Sequence, residues 1–175
     1  MGALCGKHQP RTQTDHEHWN APNAPNAPNA WNEWNAQSAR KVSSSARCTF
    51  VVGPGGSGKT STAVQIAQSR LTGTSRVVVF CSGCDEFAAW AELGDVAPID
   101  RGFGSDELRR ATSGLTPNDV LVLDNVMYTP RSAYEALADA MQQSLSGRFS
   151  MILTASFPMT LPMTPDSVLH TGAYV

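Results

Sequence analysis

The eight residues Gly53-Pro54-Gly55-Gly56-Ser57-Gly58-Lys59-Thr60 constrain this chain more than any other stretch. They meet G-x-x-x-x-G-K-[ST] at every fixed position, a pattern that carries meaning where a strand leads into it and a helix leaves it. Both flanks fit. Cys48–Val52 is a short β-rich run, and over Lys59–Leu71 the residues Ala63, Ile66, Ala67 and Leu71 share one helical face. Glycines let the backbone turn so that several N–H groups face one point, and the positive end of the following helix is aimed at that point. A phosphate suits such a cradle. In it, Gly53 to Ser61 surround a nucleoside triphosphate, Lys59 reaches the β- and γ-phosphates, and the Thr60 hydroxyl ligates Mg²⁺.

A second element completes that site. Val120-Leu121-Val122-Leu123 is an apolar strand with Asp124 at its C-terminal end, where open α/β sheets bind ligands. A carboxylate there holds Mg²⁺ through water. Asp119 flanks the same strand at the opposite end, away from the ligand edge.

The remaining pattern alternates strands with helices. Arg76–Cys81 is continuously apolar after its first residue, as in a strand covered on both faces. Helices are expected over Glu86–Leu93, over Asp106–Thr112 opened by Ser105, and over Arg131–Leu145 closed by Gly147. Further strands are expected over Val96–Ile99, Phe149–Thr154 and Val168–Tyr174, with Pro158, Pro162 and Pro165 making a loop before the last. The implied fold is α/β, with a mostly parallel sheet and right-handed crossovers.

Composition excludes other classes. At 41% hydrophobic residues, and without eighteen consecutive apolar positions, the sequence offers no spanning helix. No apolar stretch suits a secretory signal, so an intracellular, reducing setting is expected, with Cys5, Cys48, Cys81 and Cys84 as thiols. From Arg47 onward nine basic residues face twelve acidic ones, which is no electrostatic footprint for nucleic acid. Residues 1 to 46 read as a disordered tail and 47 to 175 as one folded domain. Asn20 to Ala30 is a strict Asn-Ala-Pro tandem, and Pro22, Pro25 and Pro28 forbid helix, which makes a semi-stiff spacer. Trp19, Trp31 and Trp34 flank it and could anchor a docking peptide. Gly2 and Cys5 resemble acylation positions, although Gly6 stands where Ser or Thr is wanted.

Three segments carry a resemblance: F-V-V-G-P-G-G-S-G-K-T (50–60), V-L-V-L-D-N-V (120–126) and S-M-I-L-T-A-S-F-P-M-T-L-P (150–162). Together they resemble the FtsK–HerA superfamily of P-loop NTPases, and within it the genome-packaging ATPases of poxviruses and other large DNA viruses. The resemblance implies a RecA/FtsK-like fold, ATP with Mg²⁺, and a homo-oligomeric ring that acts on double-stranded DNA and docks on capsid proteins, in host cytoplasm or virion. Two positions depart from that family. Asn125 stands where an acidic residue usually follows the aspartate; an amide orients water but cannot take its proton. Ala155-Ser156 stands where a polar sensor, usually Gln, is expected, leaving Ser156 or Thr154 to bond the γ-phosphate or water.

Other candidates remain open at this level. A ring motor needs an arginine from a neighbouring subunit, and Arg101, Arg109, Arg110, Arg131 and Arg148 are available. Cys81 and Cys84 have the spacing of half a zinc site and are otherwise ordinary thiols. Asp85 and Glu86 could replace the missing water-activating carboxylate, or simply open a helix where acidic side chains suit the dipole. His170 reads as structural. The expected catalytic set is therefore Lys59, Asp124, Asn125 and Ser156. The leading function is a DNA-translocating ATPase; the alternatives are a slow or non-hydrolysing nucleotide switch and a small-molecule phosphotransferase.

Overall fold

The computed structural model describes residues 45–81, 84–91, 93, 95–98 and 104–172. The Asn-Ala-Pro tail with its tryptophans and acylation positions, and Arg101, lie outside these residues, as do the side chains of Cys84, Asp85 and Glu86.

Six parallel strands form one sheet: β1 (Cys48–Val52), β2 (Val77–Cys81), β3 (Asp95–Pro98), β4 (Val120–Leu123), β5 (Ser150–Ala155) and β6 (Ser167–His170). Their spatial order is β3-β2-β4-β5-β1-β6, with every pairing parallel. The connections carry the α-helices α1 (Lys59–Arg70), α2 (Cys84–Ala91), α3 (Ser105–Ser113) and α4 (Tyr134–Leu145). Short 3₁₀ turns at Val126–Tyr128 and Arg131–Ala133 precede α4.

Side chains alternate across a strand with period two, and here that alternation builds two cores. Phe50, Val52, Leu121, Leu123, Met151 and Leu153 face one side, where Leu108 of α3 and Leu137 and Met141 of α4 cover them. Val51, Val79, Val122 and Ile152 face the other, under Ala63, Ile66 and Ala67 of α1 and Trp90 of α2. All residues of β1, β4 and β5 are buried, which is why those strands read as unbroken apolar runs.

Most element boundaries fall within two residues of the sequence reading, and two expectations are corrected. The helix at Ser105 is capped by Gly104, whose N–H donates to the Glu107 carboxylate at 2.7 Å, while the Ser105 hydroxyl donates to the Ser132 carbonyl. The helix expected from Arg131 begins as a 3₁₀ turn and becomes α-helical only at Tyr134. Gly147, at φ 87°, follows its end as expected. The last strand ends at His170, which is exposed; of the expected extension to Tyr174, residues 173–175 lie outside the described residues. No described helix is long and apolar enough to cross a membrane.

Asp119 has a structural task at the end of the sheet remote from the ligand edge. Its side chain, 2% exposed, accepts from the N–H groups of Arg76 at 2.8 Å and Thr116 at 2.7 Å, and from the Thr116 hydroxyl and Arg76 guanidinium. Burial alone would raise its carboxyl, but these bonds hold it below the ordinary 3.8. Asp119→Ala should therefore lower the stability of the fold by about 1–3 kcal/mol, read from the urea midpoint. The Asp119 contribution is full above pH 3.8 and disappears as pH falls below it, through the lower folded-state value, so parent and variant curves should converge in acid.

Candidate functional site

The topology decides which residues can meet. β1 and β4 are not neighbours; β5 lies between them, so the glycine loop after β1 and Asp124 after β4 stand two strand spacings apart, roughly 10 Å. The gap is bridged by the start of α1. Thr60, in its first turn, donates its hydroxyl to Asp124 Oδ2 at 3.1 Å.

Around that bridge the chain forms a cleft of about 380 Å³ lined by Gly55, Gly56, Gly58, Lys59, Thr60 and Ser61 on one side and by Asp124, Asn125 and Ser156 on the other. All four residues of the expected catalytic set line it. Gly53, Pro54 and Ser57 do not line it; they shape the loop behind it. Gly56 and Gly58 have φ of 73° and 83°, the left-handed region that glycine enters without steric penalty. No side chain caps α1, so the N–H groups of its first turn are left to the cleft, as an anion site requires. Lys59 Nζ donates to the Pro54 carbonyl at 2.9 Å, which holds its charge against the loop.

Asp124 is only 6% exposed, and three donors fix it. Oδ2 accepts from Thr60 and, at 2.8 Å, from Trp90 Nε1; Oδ1 accepts from the Thr154 hydroxyl. Thr60 and Asp124 converge closely enough for a hard divalent cation, since a hydroxyl that donates to a carboxylate keeps lone pairs for a metal. The residues present therefore fit Mg²⁺ bound with a nucleotide.

Thr154 is corrected as a candidate contact for phosphate. It is fully buried, donates to Asp124 and accepts from Asn125 N–H at 2.8 Å, so its hydroxyl is occupied within the protein. Ser156 keeps its place at the cleft wall; its backbone N–H contacts Met127 Sδ. Asn125 adopts φ 69°, ψ 57°, a left-handed conformation that Asn enters more readily than most residues, and there the chain leaves β4 for the 3₁₀ turn. Its side-chain oxygen is buried without a hydrogen-bond partner.

The other candidates are placed elsewhere. Arg109, Arg110, Arg131 and Arg148 are exposed and line no part of this chain's cleft. Cys81 is buried and forms no disulfide, and no cluster of metal-binding side chains occurs among the described residues.

Three residues at the site were missed in the sequence: Trp90, Thr154 as a holder of Asp124, and Thr171. No local pattern marks a tryptophan in a helix 34 residues away as a partner of Asp124. Thr171, just past β6, accepts or donates a bond with the Ser57 hydroxyl at 2.8 Å, and its N–H donates to the Val52 carbonyl. It explains Gly53: a Cβ there would overlap the Thr171 carbonyl and hydroxyl oxygens.

Neither a protein-family model nor a curated protein matches the sequence. Among solved structures, a single-residue variant of Thermotoga maritima RuvB matches with a TM-score of 0.50 and 14% identity, covering 87% of this chain and 46% of that one. C. elegans PCH-2 matches at 0.47 and 17%, covering 82% and 41%. The Walker-type ATPase paby2304 of Pyrococcus abyssi matches at 0.43 and 11%, covering 79% and 53%. The chain spans about half the length of these proteins. The likeness to RuvB, with the parallel sheet and the glycine loop after β1, makes this the α/β fold of P-loop NTPases.

The contact at Gly53 is directly testable. Gly53→Ala should lower stability by about 1–3 kcal/mol, measured by chemical denaturation. Because one overlapping atom is the backbone oxygen of Thr171, adding Thr171→Ala should not restore it.

Proposed function

We propose that this chain binds ATP with Mg²⁺ in the cleft and hydrolyses it, as a motor subunit of the kind seen in the genome-packaging ATPases that segments 50–60, 120–126 and 150–162 resemble. One observation carries the nucleotide reading: Lys59, Thr60, Asp124, Asn125 and Ser156, drawn from three separate segments, line one cleft at the C-terminal ends of β1, β4 and β5. In this reading the loop N–H groups and Lys59 hold the phosphates, Thr60 and Asp124 hold Mg²⁺, and Asn125 and Ser156 face the γ-phosphate and the attacking water. Mg²⁺ would neutralise charge on the phosphates; the protein's own task is position and field. Double-stranded DNA, capsid proteins, a ring of identical subunits and an arginine from the neighbour belong to this proposal through the resemblance.

A second reading has its own support. Asn125 offers an unpartnered buried oxygen that can accept a bond from water, yet an amide cannot take the water's proton. That favours a nucleotide-dependent switch or assembly module with slow turnover.

ATP hydrolysis by the purified chain, with and without double-stranded DNA, separates the two. A motor should turn over ATP severalfold faster with DNA, and Lys59→Ala should lower the rate by about 100-fold or more. A switch should bind ATP, show little turnover under either condition, and gain rate in Asn125→Asp, where a carboxylate enters a backbone conformation that Asp tolerates. ATP binding that Lys59→Ala leaves intact would overturn both readings.

A further inference from the structure

The magnesium-side carboxylate is held by a residue that belongs to neither of the motifs forming the cleft. Trp90 is fully buried in α2, packed in the core with Ile66, Val79 and Val122, and its Nε1–H donates to Asp124 Oδ2 at 2.8 Å. An indole N–H only donates and cannot rotate away from its ring plane. The Thr60 hydroxyl on the same oxygen can turn, exchanging its proton's direction while a lone pair faces a cation. The two donors on Oδ2 therefore differ in kind: one is fixed by a packed ring, and one is free to reorient.

We propose that Trp90 is a positioning residue for Asp124, setting the orientation of its carboxylate and thereby the affinity of the nucleotide-loaded site for Mg²⁺. The inference rests on the reading of Thr60 and Asp124 as the Mg²⁺ side of the cleft. Trp90 is fully buried and does not line the cleft. It acts through Oδ2, as groups that orient metal-binding carboxylates do, and removing such a group typically costs about 10- to 100-fold in metal affinity. Because Trp90 is rooted in α2, the same bond ties that helix to the metal side of the cleft. Thr154 holds the other oxygen, so losing the indole leaves Asp124 held by two hydroxyls alone, Thr154 on Oδ1 and the reorientable Thr60 on Oδ2.

The test uses the full chain and two forms of residue 90. Trp90→Phe removes the donor and shrinks the ring; 3-benzothienylalanine at position 90 removes the donor and keeps the bicyclic shape, so a packing loss cannot masquerade as the effect. Binding of a fluorescent ATP analogue is measured in EDTA, followed by MgCl₂ titration of the loaded protein. Both replacements should weaken Mg²⁺ by about tenfold or more while leaving binding in EDTA at the parental level. Ile66→Val, which thins the same core without touching Asp124, should leave Mg²⁺ affinity unchanged. Parental Mg²⁺ affinity in the benzothienyl protein overturns the inference, as does equal loss with and without Mg²⁺, which would make Trp90 a packing residue only. If the parent binds the analogue but shows no response to MgCl₂, the Mg²⁺ reading itself fails, independently of Trp90. A separate readout needs no change at 90: in a chain carrying Trp19→Phe, Trp31→Phe and Trp34→Phe, Trp90 is the sole indole, and MgCl₂ added to ATP-loaded protein should alter its emission. An unchanged spectrum counts against the bond's role.

Discussion

Asp124 is where separate parts of the chain are made to agree. A carboxylate that is 6% exposed must find donors for its lone pairs or carry a heavy desolvation penalty. It finds them in the first turn of α1, the end of β5 and the later part of α2, three segments distant in sequence. Each donor is itself buried or half-buried, so none can be moved without disturbing packing on the sheet. The geometry of the cleft is thus enforced from the core outward rather than by the glycine loop alone.

The insertion of β5 between β1 and β4 gives that arrangement its dimensions. Were the two strands adjacent, Asp124 would crowd the loop. With one strand between them, there is room for a cleft, and the residue just past the end of β5 lines it. Position relative to the strand end divides the roles: Thr154, still inside β5, is buried beneath Asp124, while Ser156, past the end of the strand, reaches the cleft wall.

Much of this was legible in the sequence because it depends on local rules. The glycine loop, the buried strands and the helix face of Ala63, Ile66 and Ala67 follow from backbone freedom and periodicity, and the structure has them. What was not legible depends on topology. Thr154 read as a contact for phosphate because it lies beside the position where the resembled family carries its polar sensor; only the strand order reveals that its hydroxyl lies under Asp124. Trp90 lies in the core, and no spacing rule announces that its one polar atom faces a carboxylate. Ser105 read as a helix cap by residue type, yet the Glu107 carboxylate and a neighbouring carbonyl gave Gly104 that position. Asn125 was noted for the acid it replaces, whereas its left-handed backbone gives it a second reason to be there.

The close approach of Thr171 to Gly53 has a mechanical side. β6 is an edge strand, joined to the sheet through β1 alone, and thus has few hydrogen bonds to break. Yet its end abuts the glycine loop at Gly53, where there is no room for a Cβ, with Gly172 in the left-handed region against Ser57 and Pro54. The edge strand of the sheet is thus in direct contact with the loop of the candidate site. Tension applied to the chain beyond Gly172 arrives at the glycine loop within a residue or two, without passing through the core.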